Sequence, residues 1–399
     1  MRLCFFCQED VTAPQGGTGT YVRHMSRALA ARGHDIHVIV RQVGHAPEFE
    51  TTEGVSIHRV PAPGPSVLYS PLFFRGAREK FLELHRHHPF TALHGNLPLL
   101  SSWGVRGPDI PPVIETVHCT VGEEMKAQAH AALRSLNLNE LIVRTIAPVW
   151  LYREKVLLNR AFRVIAVSAG LKRELVEQNG CPSAKIMVIP NGIDFGWFVR
   201  NSSPDRGRAV RQLLGIGEQD LVILYLGRLM KRKRVVDLVR AMPQVLANLP
   251  QARLVVVGKH THNATLLEQT AQALGVANRL MLVDHIAYQD VPAYYAMADA
   301  YALPSAYEGF PFTVLEAMAC GTRVVASAIP GIDEQIVPEE TGLLHPVGDV
   351  EAIAGQLIRL LSDQALASRL ALAAKDLVRT KYSWDRIGEL TEEAFMSVL

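Results

Sequence analysis

Short apolar runs alternate along this chain with stretches in which apolar positions recur every three or four residues. These are the patterns of buried strands and of helices with one buried face. The first run, Arg2–Cys7, reads as a strand. After a glycine-bearing loop over residues 13–19, Val22, Met25, Ala28 and Leu29 fall at the i, i+3, i+6, i+7 spacing of one helical face. Gly33 ends that helix, and His-Val-Ile-Val at residues 37–40 gives the next strand. The same order returns later, with Leu221–Leu226 a strand, residues 227–234 a loop, 235–249 a helix and 253–257 a strand. Continuous β-branched runs bounded by turn residues suit parallel strands covered on both faces, so each half is expected to be a doubly wound α/β domain.

Residues 201–207, Asn-Ser-Ser-Pro-Asp-Arg-Gly, are polar and carry both Pro and Gly, which predicts a linker there. The expected division is an N-terminal domain over residues 1–200, a C-terminal domain over 201–382 and a closing helix over 383–399, capped by Ser383. Two helices near residues 350–361 and 364–378 precede it. Residues 121–160 are mostly helical in pattern, with Pro148 predicted to interrupt them. Their charges (Glu123, Glu124, Lys126, Arg134, Arg144, Arg153, Glu154, Lys155) are spread among apolar residues. A surface helical pair is the expectation, with an acceptor or membrane contact as the alternative. The two halves share no repeating motif, so the chain is not a solenoid.

Composition narrows the partners. Apolar residues make up 48% and charged residues 20%, enough to bury two sizeable cores. The 41 basic and 39 acidic residues leave a net charge of +2, which gives no global pull toward nucleic acid or anionic lipid; any anion binding must be local. Five cysteines are an odd count and no disulfide framework. Cys4 and Cys7 form a C-x-x-C inside the first apolar run, where buried strand cysteines are expected rather than a redox pair. The N-terminus lacks the pattern of a signal peptide and no apolar stretch reaches the roughly 18 residues of a membrane span. The expectation is a soluble cytoplasmic protein, with association at the cytoplasmic face of a membrane left open.

The segment with the strongest chemical signal is residues 305–321, SAYEGFPFTVLEAMACG, which holds Glu308 and Glu316 in otherwise nearly uncharged surroundings. Pro311 fits the first turn of a helix that Gly321 stops, and Gly309 lets backbone approach a ligand. The free N–H groups and dipole of that first turn make an anion site. Glu316, one turn further in on a face of small residues (Thr313, Ala317, Cys320), suits hydrogen bonding to a sugar diol, with Glu308 on the other side of the anion. In residues 227–234, Gly-Arg-Leu-Met-Lys-Arg-Lys-Arg, the basic run directly follows a strand's C-terminal end. Phosphate binding by Arg228 and one nearby lysine is favoured, with the other basic residues solvated; a nucleic-acid patch over Lys231 to Arg234 is the rival. The glycine loop at residues 16–19 lacks the third glycine and the acidic partner of a dinucleotide site, where Val22 and Arg41 stand. His85, His87 and His88 lie near a helix end without metal-like spacing, while His118, at a strand's C-terminal tip, is the better functional histidine. No Asp-x-Asp is present to hold a metal–diphosphate, so no metal is expected.

Together these residues resemble the retaining nucleotide-sugar glycosyltransferases of family 4 (glycosyl transferases group 1), which have the GT-B fold. Glu308 and Glu316 stand at the spacing of the family's paired-glutamate signature. Gly227-Arg228-Leu229 with Lys233, residues 189–194 (Ile-Pro-Asn-Gly-Ile-Asp), 341–349 (Thr-Gly-Leu-Leu-His-Pro-Val-Gly-Asp), the N-terminal glycine loop and Ala166-Val167-Ser168 also match. The resemblance implies two doubly wound Rossmann-like domains facing a central cleft, with the last helix crossing back to the N-terminal domain. It implies that Glu308 holds the transferred sugar and Glu316 the nucleotide ribose. Arg228 and Lys233 would grip the diphosphate with the backbone of Gly309, Phe310, Pro311, Phe312 and Thr313. His118 would line the sugar site, Gly17 would approach the donor phosphates or the acceptor, and Ile286 would face the base. Pro311 departs from the family, where many relatives have a small residue, and removes one N–H donor.

The implied activity is transfer of a hexosyl unit from a nucleoside-diphosphate sugar, UDP favoured and GDP open, to a hydroxyl of a glycan, a lipid-linked sugar or a small molecule. Anomeric configuration would be retained. No cofactor is expected beyond the donor co-substrate, and no nucleic-acid partner; monomer and homodimer both remain open. The alternative is a nucleotide-sugar epimerase on a similar architecture.

Overall fold

The computed structural model describes residues 1–12, 16–62, 69–97, 105, 107, 109–123, 138–259 and 262–399. The chain divides into two compact units, Met1–Gly192 together with Trp384–Leu399, and Ile193–Ser383. Each is built on one parallel sheet.

In the first unit the strands are β1 (Arg2–Cys7), β2 (Asp35–Arg41), β3 (Phe49–Thr52), β4 (Val55–Val60), β5 (Ala92–Leu97), β6 (Val113–Val117), β7 (Arg163–Ala166) and β8 (Ile186–Val188). They lie in the order β3-β4-β2-β1-β5-β6-β7-β8, all parallel except the β3–β4 hairpin at the edge. Leu3 to Cys7 are fully buried, as a central strand with helices on both faces requires. Burial pushes the thiols of Cys4 and Cys7 up, and both are free, in agreement with the buried-strand expectation. The strand order reverses between β1 and β5, the switch point at which doubly wound sheets bind ligands beyond their C-terminal edge. The helices are α1 (Gly17–Ala31), α2 (Tyr69–His87), α3 (Leu138–Arg160) and α4 (Ala169–Glu177). Val22, Met25 and Leu29 bury the inner face of α1, and Gly33, at φ +85°, ends it in the left-handed region.

Two expectations for residues 121–160 fail. Pro148 lies inside α3 without ending it. Glu154 is fully buried instead of solvated: its carboxylate accepts from Val121 N at 3.0 Å and Asn179 Nδ2 at 3.0 Å, tying α3 to the chain just after β6. Glu124, Lys126 and Arg134 lie outside the described residues.

In the second unit the strands are β9 (Leu221–Leu226), β10 (Ala252–Val257), β11 (Leu280–Val283), β12 (Ala300–Leu303), β13 (Arg323–Ser327) and β14 (Leu343–His345), all parallel in the order β11-β10-β9-β12-β13-β14. Here the reversal falls between β9 and β12. The helices are α5 (Phe195–Asn201), α6 (Pro204–Leu213), α7 (Val235–Asn248), α8 (His262–Ala273), α9 (Val291–Met297), α10 (Phe312–Cys320), α11 (Val350–Ser362) and α12 (Gln364–Lys381). α13 (Trp384–Met396) belongs to the first unit.

The unit boundary therefore falls at residues 192–193, and residues 201–207 are not a linker. Ser203 caps α6, accepting from Arg206 N, and Pro204 sits in its first turn, so the polar, proline-bearing composition is helix-start chemistry. Gly207 has a packing reason: a Cβ there would stand 2.7 Å from the backbone of Ala296 in α9.

α13 packs on α1. Trp384 stacks on His24 with centroids 5.4 Å apart and planes at 6°, Arg32 Nε donates to Glu392 at 2.7 Å, and Phe395 is fully buried with its ring 6.0 Å from that of Phe5. Among the described residues no helix is long and apolar enough to cross a membrane.

Candidate active site

In the second unit the loops leaving β9 and β12 meet at the strand-order reversal. β9 delivers Gly227 and Arg228, followed by a tight turn at Lys231–Lys233. Arg234 then starts α7 in the left-handed region at φ 51°. β12 delivers Ser305 to Glu308, and α10 starts three residues beyond Gly309. The amide of Ala306 donates to the carbonyl of Arg232 at 2.8 Å and zips the two loops together.

Glu308 sits where they touch and is only 7% exposed. Its Oε1 receives Lys233 Nζ at 2.5 Å and Ser305 Oγ at 2.6 Å, and its Oε2 lies 3.5 Å from the Arg232 guanidinium. Burial by itself would raise this carboxyl, but Lys233, Arg232 and the Ser305 hydroxyl together hold it below the ordinary carboxylate value, so it is an anion. Burial also draws the Lys233 ammonium down from its usual value, against the pull of Glu308. The expectation that the basic run beyond Arg228 and one lysine is solvated is overturned. Arg232 is half-buried against Glu308 and donates to the Tyr307 carbonyl at 3.0 Å, and Arg234 pairs with Asp237 at 2.6 Å. Of that run Lys231 is exposed and Arg232, Lys233 and Arg234 are half-buried. Arg228 differs from all of these. Its side chain is exposed and has no hydrogen bond or ion pair among the described residues, while its carbonyl is held by the Tyr225 hydroxyl at 2.9 Å.

Glu316 lies one turn into α10, 7% exposed. The Tyr295 hydroxyl lies 3.0 Å from its Oε2 and 3.2 Å from the Thr313 carbonyl. With no cation beside it among the described residues, burial pushes the Glu316 carboxyl up to about 7, outweighing the tyrosine. The two glutamates are thus in opposite electrostatic states, one fixed as an anion and one balanced near neutrality. A Glu316 that accepts from both hydroxyls of a ribose diol does so most strongly when ionised. The affinity of the protein for a nucleoside diphosphate is then expected to rise up to about tenfold between about pH 6 and pH 8 and to level off above. Calorimetric titration across that range, with Glu316→Gln as the control that removes the dependence, measures it.

Pro311 is the cap residue of α10 rather than part of its first turn, at φ −69° and ψ 127°, so the free amides begin at Phe312 and Thr313. The turn before it is braced from behind. Gln335 Nε2 donates to the Pro311 carbonyl at 3.0 Å, and a Cβ on Gly331, which stands at φ +88°, would lie 2.2 Å from the Gly309 carbonyl oxygen. Phe310 is buried against Tyr382, while Ile286 is half-buried beyond β11. Arg232, Ser305, Tyr295, Gly331 and Gln335 were not singled out from the sequence. Ser305, three residues before Glu308, carried the one local signal, a hydroxyl placed to reach an acid in the same turn.

Gly17 and His118 belong to the first unit. Gly17 is exposed at the first position of α1, where its amide has no intrahelical partner. His118 follows β6 directly, half-buried, with the Tyr21 ring edge-on at 4.7 Å and Asn96 Oδ1 3.2 Å from its Nε2. Burial depresses the imidazole to about 3, so it is neutral in ordinary buffers.

The family model described as "Glycosyl transferases group 1" matches residues 208–377, and that described as "Glycosyltransferase Family 4" matches residues 15–197. The chain is similar to a D-inositol 3-phosphate glycosyltransferase of Geodermatophilus obscurus, 30% identical over 93% of this chain and 82% of that protein. It is similar to a glycogen synthase of Mycobacterium tuberculosis, 29% identical over 100% of this chain and 95% of that protein. Among solved structures, sucrose-phosphate synthase from Thermosynechococcus elongatus superposes with a TM-score of 0.84 at 26% identity, over 100% of this chain and 98% of that one.

Proposed function

Since this chain belongs to family 4 of the glycosyltransferases, the glycosyl transferases group 1 with their two Rossmann-like domains, we propose that it moves a hexosyl unit from a nucleoside-diphosphate sugar to a hydroxyl acceptor. A UDP-sugar is the first candidate donor and a GDP-sugar the second. Transfer retains anomeric configuration and needs no metal ion. The observation that carries this reading is the pairing at one switch point of an anionic, three-fold supported Glu308 with an Arg228 that is exposed and, among the described residues, unpartnered. The relatives are named for glycogen, sucrose phosphate and an inositol phosphate, which supports a glycan or polyol hydroxyl as acceptor.

Departure of the nucleoside diphosphate from the anomeric carbon places negative charge on phosphate and positive charge on the sugar ring. Arg228, the two free donors left on Lys233 once Glu308 has taken one, and the amides of Phe312 and Thr313 meet the first charge. Glu308 holds sugar hydroxyls on its remaining lone pairs. The carboxylates here do not suit a covalent nucleophile: Glu308 is held by two cations and Glu316 belongs to the ribose. The acceptor hydroxyl therefore attacks from the face the phosphate leaves, and its proton passes to the departing phosphate oxygen.

A screen of UDP- and GDP-hexoses against candidate acceptors, scored by nucleoside-diphosphate release with and without EDTA and by NMR of the product's anomeric centre, tests this. Release unaffected by EDTA with a retained product is expected. An inverted product, or an epimerised sugar nucleotide formed without acceptor, would overturn the reading. A trapped glycosyl-enzyme would overturn the same-face step.

A further inference from the structure

A chain of buried polar side chains runs from His118 into the core of the first unit. His118 Nε2 is 3.2 Å from Asn96 Oδ1, and Asn96 Nδ2 is 3.0 Å from the Phe6 carbonyl and 3.4 Å from His94 Nδ1. His94 Nε2 is 2.9 Å from Thr116 Oγ1, which is 3.1 Å from the Tyr21 hydroxyl. Asn96, His94 and Thr116 are fully buried, on β5 and β6 beside the strand-order reversal.

The directions of these bonds follow from one group that cannot change. The Phe6 carbonyl, on β1, only accepts, so the Asn96 amide must present its nitrogen there; the flipped amide would put two oxygens 3.0 Å apart. With Nδ2 turned to Phe6, Oδ1 faces His118, and an oxygen acceptor needs Nε2 to carry the hydrogen. The second amide hydrogen points toward His94 Nδ1, which makes His94 an Nε2–H tautomer donating to Thr116, in keeping with the short distance there. The bonds from Phe6 through Asn96 to His118 and to His94 and Thr116 thereby run in one sense, while either hydroxyl can donate between Thr116 and Tyr21.

We propose that Asn96 is a positioning residue that holds His118 as the Nε2–H tautomer, leaving Nδ1 as a lone-pair acceptor for a hydroxyl and not as a donor for phosphate. This rests on the glycosyltransferase reading only for what His118 meets; the tautomer itself follows from β1 and β5. The burial that depresses both His118 and His94 to about 3 agrees with a ring that stays neutral. Among the described residues, the titratable groups facing the His118 ring are His94 and Tyr21, and neither supplies a negative charge at neutral pH. A phosphate at Nδ1 would meet a lone pair, whereas a sugar hydroxyl donates to it.

The test begins with long-range proton–nitrogen correlation NMR on histidine-labelled wild-type protein. His118 is expected with protonated Nε2 and bare Nδ1 at neutral pH, and the Nδ1–H tautomer would overturn the proposal whether or not the enzyme reading stands. Asn96→Asp keeps an acceptor but adds a charge, so the ring is expected to titrate at higher pH than in wild type; a residue that only fills space would leave that titration unmoved. Asn96→Leu is expected to lower kcat about tenfold or more, with donor KM within about threefold, on whichever of UDP-glucose or GDP-mannose the wild type hydrolyses, since a wrong tautomer disables a histidine without removing it. Full kcat in a folded Asn96→Leu protein would overturn the positioning role. No hydrolysis of either donor by wild type would instead count against the donor reading and leave the tautomer result to decide this one.

Discussion

Replacing Glu308 with glutamine is expected to cut turnover of the nucleotide-sugar donor by about a hundred- to a thousandfold, the size of effect seen when one preorganised electrostatic group is removed from a transition state. Affinity for the nucleoside diphosphate alone should stay within about threefold. The reason is the way the carboxylate is held. Lys233, Arg232 and Ser305 fix it as an anion at one spot, so it can oppose positive charge growing on the sugar ring without reorganising. Glutamine fills the same space and keeps the Ser305 contact, but it answers neither that charge nor the two cations. Leaving these two half-buried cations without their counter-charge also costs stability, less than the about 3–5 kcal/mol of a fully buried pair. Thermal melting must therefore accompany the steady-state kinetics and the calorimetry. If nucleoside-diphosphate affinity falls together with turnover while the melting temperature holds, Glu308 acts by keeping Lys233 in place and not on the sugar.

The second large effect concerns the diphosphate. Arg228→Ala with Lys233→Ala is expected to weaken nucleoside-diphosphate binding about a hundredfold or more, because each removes charge-assisted hydrogen bonds worth about 1.5–3 kcal/mol. The single variants should differ in kind. Arg228 is exposed and its side chain holds nothing among the described residues, so its loss should weaken binding, flatten the salt dependence of binding and leave the melting temperature alone. Lys233 sits 2.5 Å from Glu308, so its loss should weaken binding and also lower the melting temperature. Calorimetric titration with UDP and GDP at two salt concentrations separates the two cases. Unchanged affinity in the double variant would contradict the phosphate grip.

The parts of this molecule legible in its sequence are those decided by neighbours along the chain. β1, β9 and β10 were evident because a central parallel strand needs a continuous apolar run. Residues 305–321 stood out because a helix start, a glycine and two acids lie within one short segment. What escaped was decided by distant residues. Arg232 looks like any solvated arginine until the carbonyl of Tyr307 is brought to 3.0 Å from it, and the Asn96–His94–Thr116–Tyr21 chain exists only once three strands and a helix are assembled. The linker misplaced at residues 201–207 shows a different limit. Serine and proline mark both loops and the starts of helices, and only the packing of α6 on α9 decides between them.

The first unit is discontinuous in sequence. Phe395, fully buried against Phe5 and His94, reaches its place only after the whole second unit has been made. During synthesis the second unit can close as soon as residue 383 is free. The first must wait, with the α1 surface that will receive Trp384 and Glu392 still open to water. Order of manufacture and order of completion are thus reversed.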